Sequence, residues 1–501
     1  MAHAPADGWR GSLLCALALL SGGACTGTDR EGAGTGAPPS EATSEATPKL
    51  TAQQLQNPET CKPCHTRHYR EWKSSMHAYS SDDPIFLAMN ARGQDQAGLG
   101  DFCVKCHAPL AVLAGWDDYA NVADLPPEQK GVSCYYCHSV QGVGEPHNNS
   151  LQVSLSNDVM FGPYLDPSPK APHRAEHSDY LDGRRAESSA LCGACHDIQL
   201  DNGVHLERTY EEWQGSLLNG LGCARGCHMA GRSDTAVPGP AAPAGVRVRR
   251  IEDGEGVHEH LFAGVDSVLT PWMTDDPLLQ QVQRAAIDCE LRDAVQITEL
   301  CISPGPGGFS LSVSLEAVGA AHGWPSGAAQ DRRAWIHLRA YRGGALVFDS
   351  SVRPGESPNA VQADPSRQLA LLGDFIYGAS GMQVHMFWDA APSPSVPLGY
   401  RSNLIPAGAD HTLTSSYRLA GAAPDRIEVG VQMVPIHPEV LEDLYASGYA
   451  SPSDHSPIQT LTLAGAQVTW QPTRPNQCLR NPALGVPSED CRSSYRALLA
   501  Q

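Results

Sequence analysis

Residues 61–77 read CKPCHTRHYREWKSSMH, and the first five of them set the architecture of the chain. The pattern of Cys61, Cys64 and His65 returns as Cys103-Val-Lys-Cys106-His107, Cys134-Tyr-Tyr-Cys137-His138 and Cys192-Gly-Ala-Cys195-His196. A fifth copy, Cys223-Ala-Arg-Gly-Cys227-His228, carries one extra residue. Cys-x-x-Cys-His is the attachment pattern for c-type haem. Two thiols add to the two vinyl groups of one porphyrin, and the adjoining imidazole meets the iron as proximal ligand. Zinc ribbons also use Cys-x-x-Cys pairs, but they do not require a histidine after each one. Five haems c are therefore expected, with His65, His107, His138, His196 and His228 as proximal ligands. In the fifth copy Gly226 makes the longer excursion sterically cheap. A local Cys223–Cys227 disulfide is the competing reading there.

The remaining cysteines and the composition set the surroundings. Of 16 cysteines, Cys15 and Cys25 lie near the N-terminus, and Cys289, Cys301, Cys478 and Cys491 lie beyond the motifs. The last four are expected to form two short-loop disulfides, Cys289 with Cys301 and Cys478 with Cys491, with other pairings left open. Arg10, the apolar run Ser12 to Leu20 and the small residues leading to Cys25 follow signal-peptide grammar, so residues 1–25 are expected to be an export signal. Cys25 is a candidate for lipidation, with Gly22 where lipoproteins usually carry a residue such as leucine. Residues 26–50 are too polar and too rich in Gly, Pro, Ser and Thr to bury anything and read as a tether. The chain of 501 residues has a net charge of −20, which argues against nucleic acid as a partner. No apolar run reaches the roughly 18 residues that would span a bilayer. Membrane association is thus expected only through the lipid, with the protein in the periplasm or at the outer membrane or cell surface.

The organisation follows the motifs. Residues 51–236 are expected to be a helix- and loop-rich pentahaem domain, whose porphyrins supply much of its apolar volume. An internal echo runs through it: Tyr69, Glu71, Trp72 and Ser75 match Tyr210, Glu212, Trp213 and Ser216 in type and spacing. Tyrosine and tryptophan three apart share a helix face, suited to packing on a porphyrin or within a duplicated unit. Residues 237–245 (VPGPAAPAG) form a linker. Beyond it the period changes to two, as in Phe309, Leu311, Val313 and Leu315. Similar runs at 335–341, 346–348, 384–388, 427–433, 461–463 and 468–470, with turn residues between them, predict a β-sandwich of seven to nine strands over 246–501. Residues 438–445 predict a short helix with proline at its start. The fold class is α+β and multidomain.

The order Cys-x-x-Cys-His, then Tyr69-x-x-Trp72-x-x-Ser75-x-His77, then further haem motifs resembles the multihaem cytochrome c-552/c-554 family. Ala321-His322-Gly-Trp-Pro325-Ser326-Gly327 resembles a Gly-His-x-x-Pro-Ser/Thr-Gly segment of β-domains appended to many such proteins, with Ala321 in place of glycine. The resemblance implies a distal ligand at His77. A fifth motif and the large β-domain depart from the tetrahaem pattern, so no redox partner is carried over. Further distal candidates, by position between motifs, are His147, His173, His177 and His205, with His322 reaching across from the β-domain. The reading that follows is an electron carrier passing charge between closely packed haems to redox partner proteins. The alternatives are an oxidoreductase acting on a small nitrogen or sulfur compound at one open haem, and a binding module in the β-domain served by the haems. No motif ends in lysine, as the active iron of haem nitrite reductases often requires. Enzymatic activity is therefore the lesser expectation.

Overall fold

Ten strands between Gln296 and Arg480 form two antiparallel sheets in the computed structural model of the chain. The structure describes residues 49–169, 171–185, 187–229, 257–269, 276–407, 411–481 and 488–499. The expected signal, nearly all of the tether and the 237–245 linker lie outside the described residues. One sheet has the order β7 (Thr412–Ala420), β2 (Gly308–Glu316), β1 (Gln296–Gly305), β10 (Gln477–Arg480). The other has the order β6 (Tyr400–Asn403), β5 (Leu371–Ile376), β3 (Arg333–Arg342), β8 (Arg426–Val434), β9 (Leu461–Trp470), with β4 (Ala345–Asp349) also paired to β3.

Alternation along the strands builds the core. Leu311, Val313 and Leu315 of β2 are fully enclosed, as are Leu300 of β1 and Ile336, Leu338 and Ala340 of β3. Each such aliphatic side chain contributes about 1.5–3 kcal/mol by leaving water. The two runs expected at 461–463 and 468–470 are one strand, β9, whose register shifts opposite Gly430 and Gln432. Residues 384–388 are not a strand; Phe387–Asp389 is a 3-10 turn there, and Tyr377 pairs only with Gln383. The predicted helix is present as Pro438–Ala446. Sequence period alone did not mark the 18-residue helix Pro277–Ala294, although Asp276 caps it by accepting from Leu278 N–H at 2.9 Å and Pro277 opens it.

The disulfides differ from the short-loop expectation. Cys289 bonds Cys491 and Cys301 bonds Cys478. The second pairing follows from strand register, because Cys301 and Cys478 stand opposite each other on β1 and β10. The first ties Pro277–Ala294 to the C-terminal helix Ser488–Leu499.

The motif-bearing segment packs directly on the sandwich, and residues 47–501 form one compact unit. Helix α1 (Thr66–Lys73), helix α2 (Pro84–Ala97) and helix α3 (Cys134–His138) precede α4 (Ser188–Gly193) and α5 (Thr209–Gln214). Helix α2 is capped by Asp83 at its start and by Gly98 in the left-handed region at its end. Its Ile85 and Ala88 join the sandwich core. Polar contacts complete the junction: Arg208 reaches Asp374 at 2.7 Å, and Thr209 Oγ1 lies 2.8 Å from Ser326 Oγ.

Candidate haem-binding centre

Local helix geometry explains the spacing of the motifs. The third motif occupies a single α-turn, Cys134–His138, capped by Ser133. Positions i, i+3 and i+4 of such a turn share one face, so Cys134, Cys137 and His138 point together. The fifth motif, Cys223–His228, forms a π-helical turn, closed by Met229 N–H bonding to Ala224 C=O at 2.9 Å. A π-turn closes from i to i+5, so widening absorbs the extra residue and keeps Cys223, Cys227 and His228 on one side.

Four of the five motifs open into one cavity of about 1940 Å³, lined by the cysteines and histidine of the first, third, fourth and fifth. A single-ligand pocket holds about 300–1,000 Å³. Thiols of different motifs also lie close enough to shift one another's titration: Cys61 and Cys134, Cys106 and Cys195, and Cys192 and Cys223. The Cys192 contact, then burial and Ser189, set the Cys223 thiol at about 6, with the contact outweighing the burial. All ten motif cysteines are outside any disulfide, including Cys223 and Cys227.

The spacing of the imidazoles tests whether haem fits. Two rings bound on opposite sides of one metal, each at a metal–nitrogen distance of about 2.0 Å, have centroids about 6.3 Å apart. His65 faces His173 at 6.3 Å, His196 faces His77 at 6.2 Å, and His228 faces His322 at 6.4 Å. His138 faces His260 at 6.2 Å, with planes 16° apart. His68 also lies 6.2 Å from His65, but as its neighbour along α1, and it is 4.8 Å from His260.

Hydrogen bonds fix several of these rings through Nδ1 and leave Nε2 to act as ligand. Nδ1 lies 2.7 Å from Phe161 C=O in His138, 2.9 Å from Arg174 C=O in His173, 3.0 Å from Gly323 C=O in His322 and 3.1 Å from His258 C=O in His260. Burial and neighbouring imidazoles hold His65, His196 and His322 down to about 4 and His77 to about 3, so all four are neutral, the form that binds metal. His228 differs. Burial pulls it down, but the Glu290 carboxylate 3.6 Å from its Nδ1 outweighs that and raises it.

The other histidines are placed elsewhere. Both ring nitrogens of His205 face carboxylates, Nε2 at 2.5 Å from Asp197 and Nδ1 at 3.0 Å from Glu211, so it is not positioned as a ligand. Nε2 of His177 faces Asp182 at 3.7 Å and Asp179 at 4.0 Å. His147 lies beside the second and fourth motifs, where Asn149 bonds to Lys105 C=O and Ala194 C=O, but it faces none of the proximal rings. His107 bonds Ser80 C=O through Nδ1 at 2.8 Å, and the Phe86 ring stacks on it at 4.1 Å. Among the described residues no histidine stands at ligand spacing from His107. His260 had no place among the sequence candidates, because it neither lies between motifs nor, like His322, sits in a segment that resembles a family one. Its only signal was the His258-x-His260 pair.

Residues 60–139 match the family model described as cytochrome c554 and c-prime. The fold is similar to that of a penta-heme cytochrome c552 from Thermochromatium tepidum, with a TM-score of 0.55 at 17% identity, covering 84% of this chain and 100% of that one. No curated protein matches the chain.

Proposed function

We propose, for a chain that is a multihaem c-type cytochrome of the cytochrome c554 family, that it relays electrons through five haems. The observation that carries this reading is the set of four facing imidazole pairs at 6.2–6.4 Å. Haem iron held between two histidines shuttles between ferric and ferrous states while offering substrate no open position. The chain's part is to hold each imidazole neutral and aimed, and to set the order of neighbours. Motifs whose thiols lie close together would hold neighbouring haems. The proximities of Cys61 to Cys134, Cys106 to Cys195 and Cys192 to Cys223 place the first motif beside the third and the fourth beside both the second and the fifth. The third and fourth motifs line the same cavity. Such an order would run one–three–four and then branch.

The chain works after export, anchored through Cys25 and its tether at the envelope. Its net charge of −20 favours partners with cationic docking faces. Electron paramagnetic resonance of the ferric holoprotein, with haem per chain counted by intact mass, tests the relay. Five haems per chain, with at least four of them low-spin, are expected. Fewer than four low-spin haems would overturn it.

One observation favours a second reading. The second motif's His107 has Phe86 against its ring and no facing histidine among the described residues. A high-spin signal from that haem alone would mark an open iron and a site for a small nitrogen or sulfur compound. A fully low-spin spectrum would remove this reading.

A further inference from the structure

Helices α1 and α5 share more than the tyrosine–tryptophan echo. In each, an arginine one turn before the glutamate pairs with it: Arg67 Nε is 3.1 Å from Glu71 Oε1, and Arg208 Nε is 3.4 Å from Glu212 Oε1. In each, the second carboxylate oxygen accepts a backbone amide from a segment more than a hundred residues away. Glu71 Oε2 accepts from His260 N–H at 2.9 Å, and Glu212 Oε2 accepts from Gly323 N–H at 2.9 Å. His260 is the ring facing proximal His138, and Gly323 directly follows His322, the ring facing proximal His228.

A carboxylate withdrawn from water is tolerated only when its charge and lone pairs are satisfied. Glu71 is fully enclosed, and Glu212 is 22% exposed. Charge-assisted bonds to a backbone amide are among the stronger and shorter hydrogen bonds, and they fix direction as well as distance. The close approach at Glu212 also dictates the residue opposite. A Cβ on residue 323 would stand 2.8 Å from Glu212 Oε2, so a larger residue there would push the carboxylate away from the amide.

We propose that Glu71 and Glu212 are positioning residues for the distal histidines of the third and fifth haems, each clamping the backbone that carries the ring. Arg67 and Arg208 orient the two carboxylates. The duplicated helix is thus a ligand-holding unit used twice, and it ties the segment beyond the linker to the motifs. The inference rests on the ligand-pair reading above.

Ferric spin state tests it, in holoprotein shown by intact mass to carry its haems. His322→Ala and His260→Ala define the signals of the two haems, each expected to turn high-spin. Glu212→Ala and Gly323→Ala are then expected to give a high-spin fraction at the same haem as His322→Ala, and Glu71→Gln at the same haem as His260→Ala. Added imidazole should return these fractions to low spin, and the other haems should keep the parent's low-spin signals, which a general loss of structure would not allow. Glutamate and glycine variants that stay as low-spin as the parent, while the histidine variants change, overturn the clamp. Histidine variants that leave every haem low-spin overturn the ligand pairs themselves, and the clamp with them. Should Glu71→Gln fail to mature, Glu212→Ala and Gly323→Ala still decide the matter at the fifth haem.

Discussion

The sandwich fills its interior with its own side chains, whereas the motif segment surrounds a space. In the sandwich, Leu300, Leu311, Val313, Ile336, Leu338 and Val431 meet across the two sheets in one continuous core. Between residues 49 and 229, apart from Ile85 and Ala88, the buried apolar side chains fall into small groups, such as Leu55, Leu110, Tyr135 and Tyr136, and the segment borders a cavity of about 1940 Å³. Both regions belong to one compact unit, yet hydrophobic burial is supplied by the chain in one and by the prosthetic groups in the other. A segment built that way encodes its core in attachment points and not in apolar periodicity.

Withholding haem is the strongest way to break the comparison. With all ten motif cysteines replaced by alanine, amide hydrogen exchange should retain protection in β1, β2, β3 and β8 and lose it across residues 61–228. Equal protection in both regions would show that the motif segment has a sufficient core of its own.

Breaking Cys301–Cys478 acts on the sandwich alone. It closes a sequence separation of 177 residues and joins paired strands. A Cys301→Ala/Cys478→Ala protein should lose about 2–5 kcal/mol in denaturant titration. Haem content and spin state should be unchanged.

Truncating one side chain on each side sharpens the contrast. Leu338→Ala, in the middle of β3, should cost about 2–5 kcal/mol, because a continuous core relaxes little around the void. Leu110→Ala, equally enclosed but in a cluster of four buried residues, should cost less, because a small cluster can collapse around the void more readily than a continuous core. Unfolding midpoints of the two variants in holoprotein give the comparison directly.

The two regions were also legible to different degrees. Cys-x-x-Cys-His is a covalent pattern and identifies itself, so the expected attachment residues could all be named from sequence. The facing histidines carry no pattern of their own; His77 and His322 lie in segments that resemble family ones and His173 lies between motifs, while His260 is tied in by its N–H donating to Glu71, a long-range contact that spacing cannot reveal. His205 lay in reach as well, but Asp197 and Glu211 occupy both its nitrogens. In the sandwich, period-two alternation marked β2, β3 and β8. It missed β5 (Leu371–Ile376), where five of six residues are buried, the first four in succession, and no alternation survives. Disulfide pairing was read from proximity in sequence, whereas strand register decided it between Cys301 and Cys478.

The smallest expected effect separates the regions by pH. In the haem-free chain, His77, His196 and His322 are all held well below the ordinary histidine value, but iron-bound rings do not titrate in this range. His437 in the sandwich has no such exemption. Its ring is almost wholly enclosed and is held down to about 4 by burial, against the opposing pull of Glu439 at 2.9 Å from Nδ1. An unfolded histidine titrates near 6.5, so between about 6.5 and 4 the unfolded chain takes up a proton that the folded one refuses. Stability attributable to His437 is therefore complete above that window and falls as pH drops through it, by at most about 1.4 kcal/mol per pH unit. Urea midpoints of the holoprotein between pH 7.5 and 4.5 should fall with this slope added, and His437→Gln should flatten the profile in that interval. An identical slope in parent and variant would assign the loss to other groups and leave the sandwich indifferent to pH.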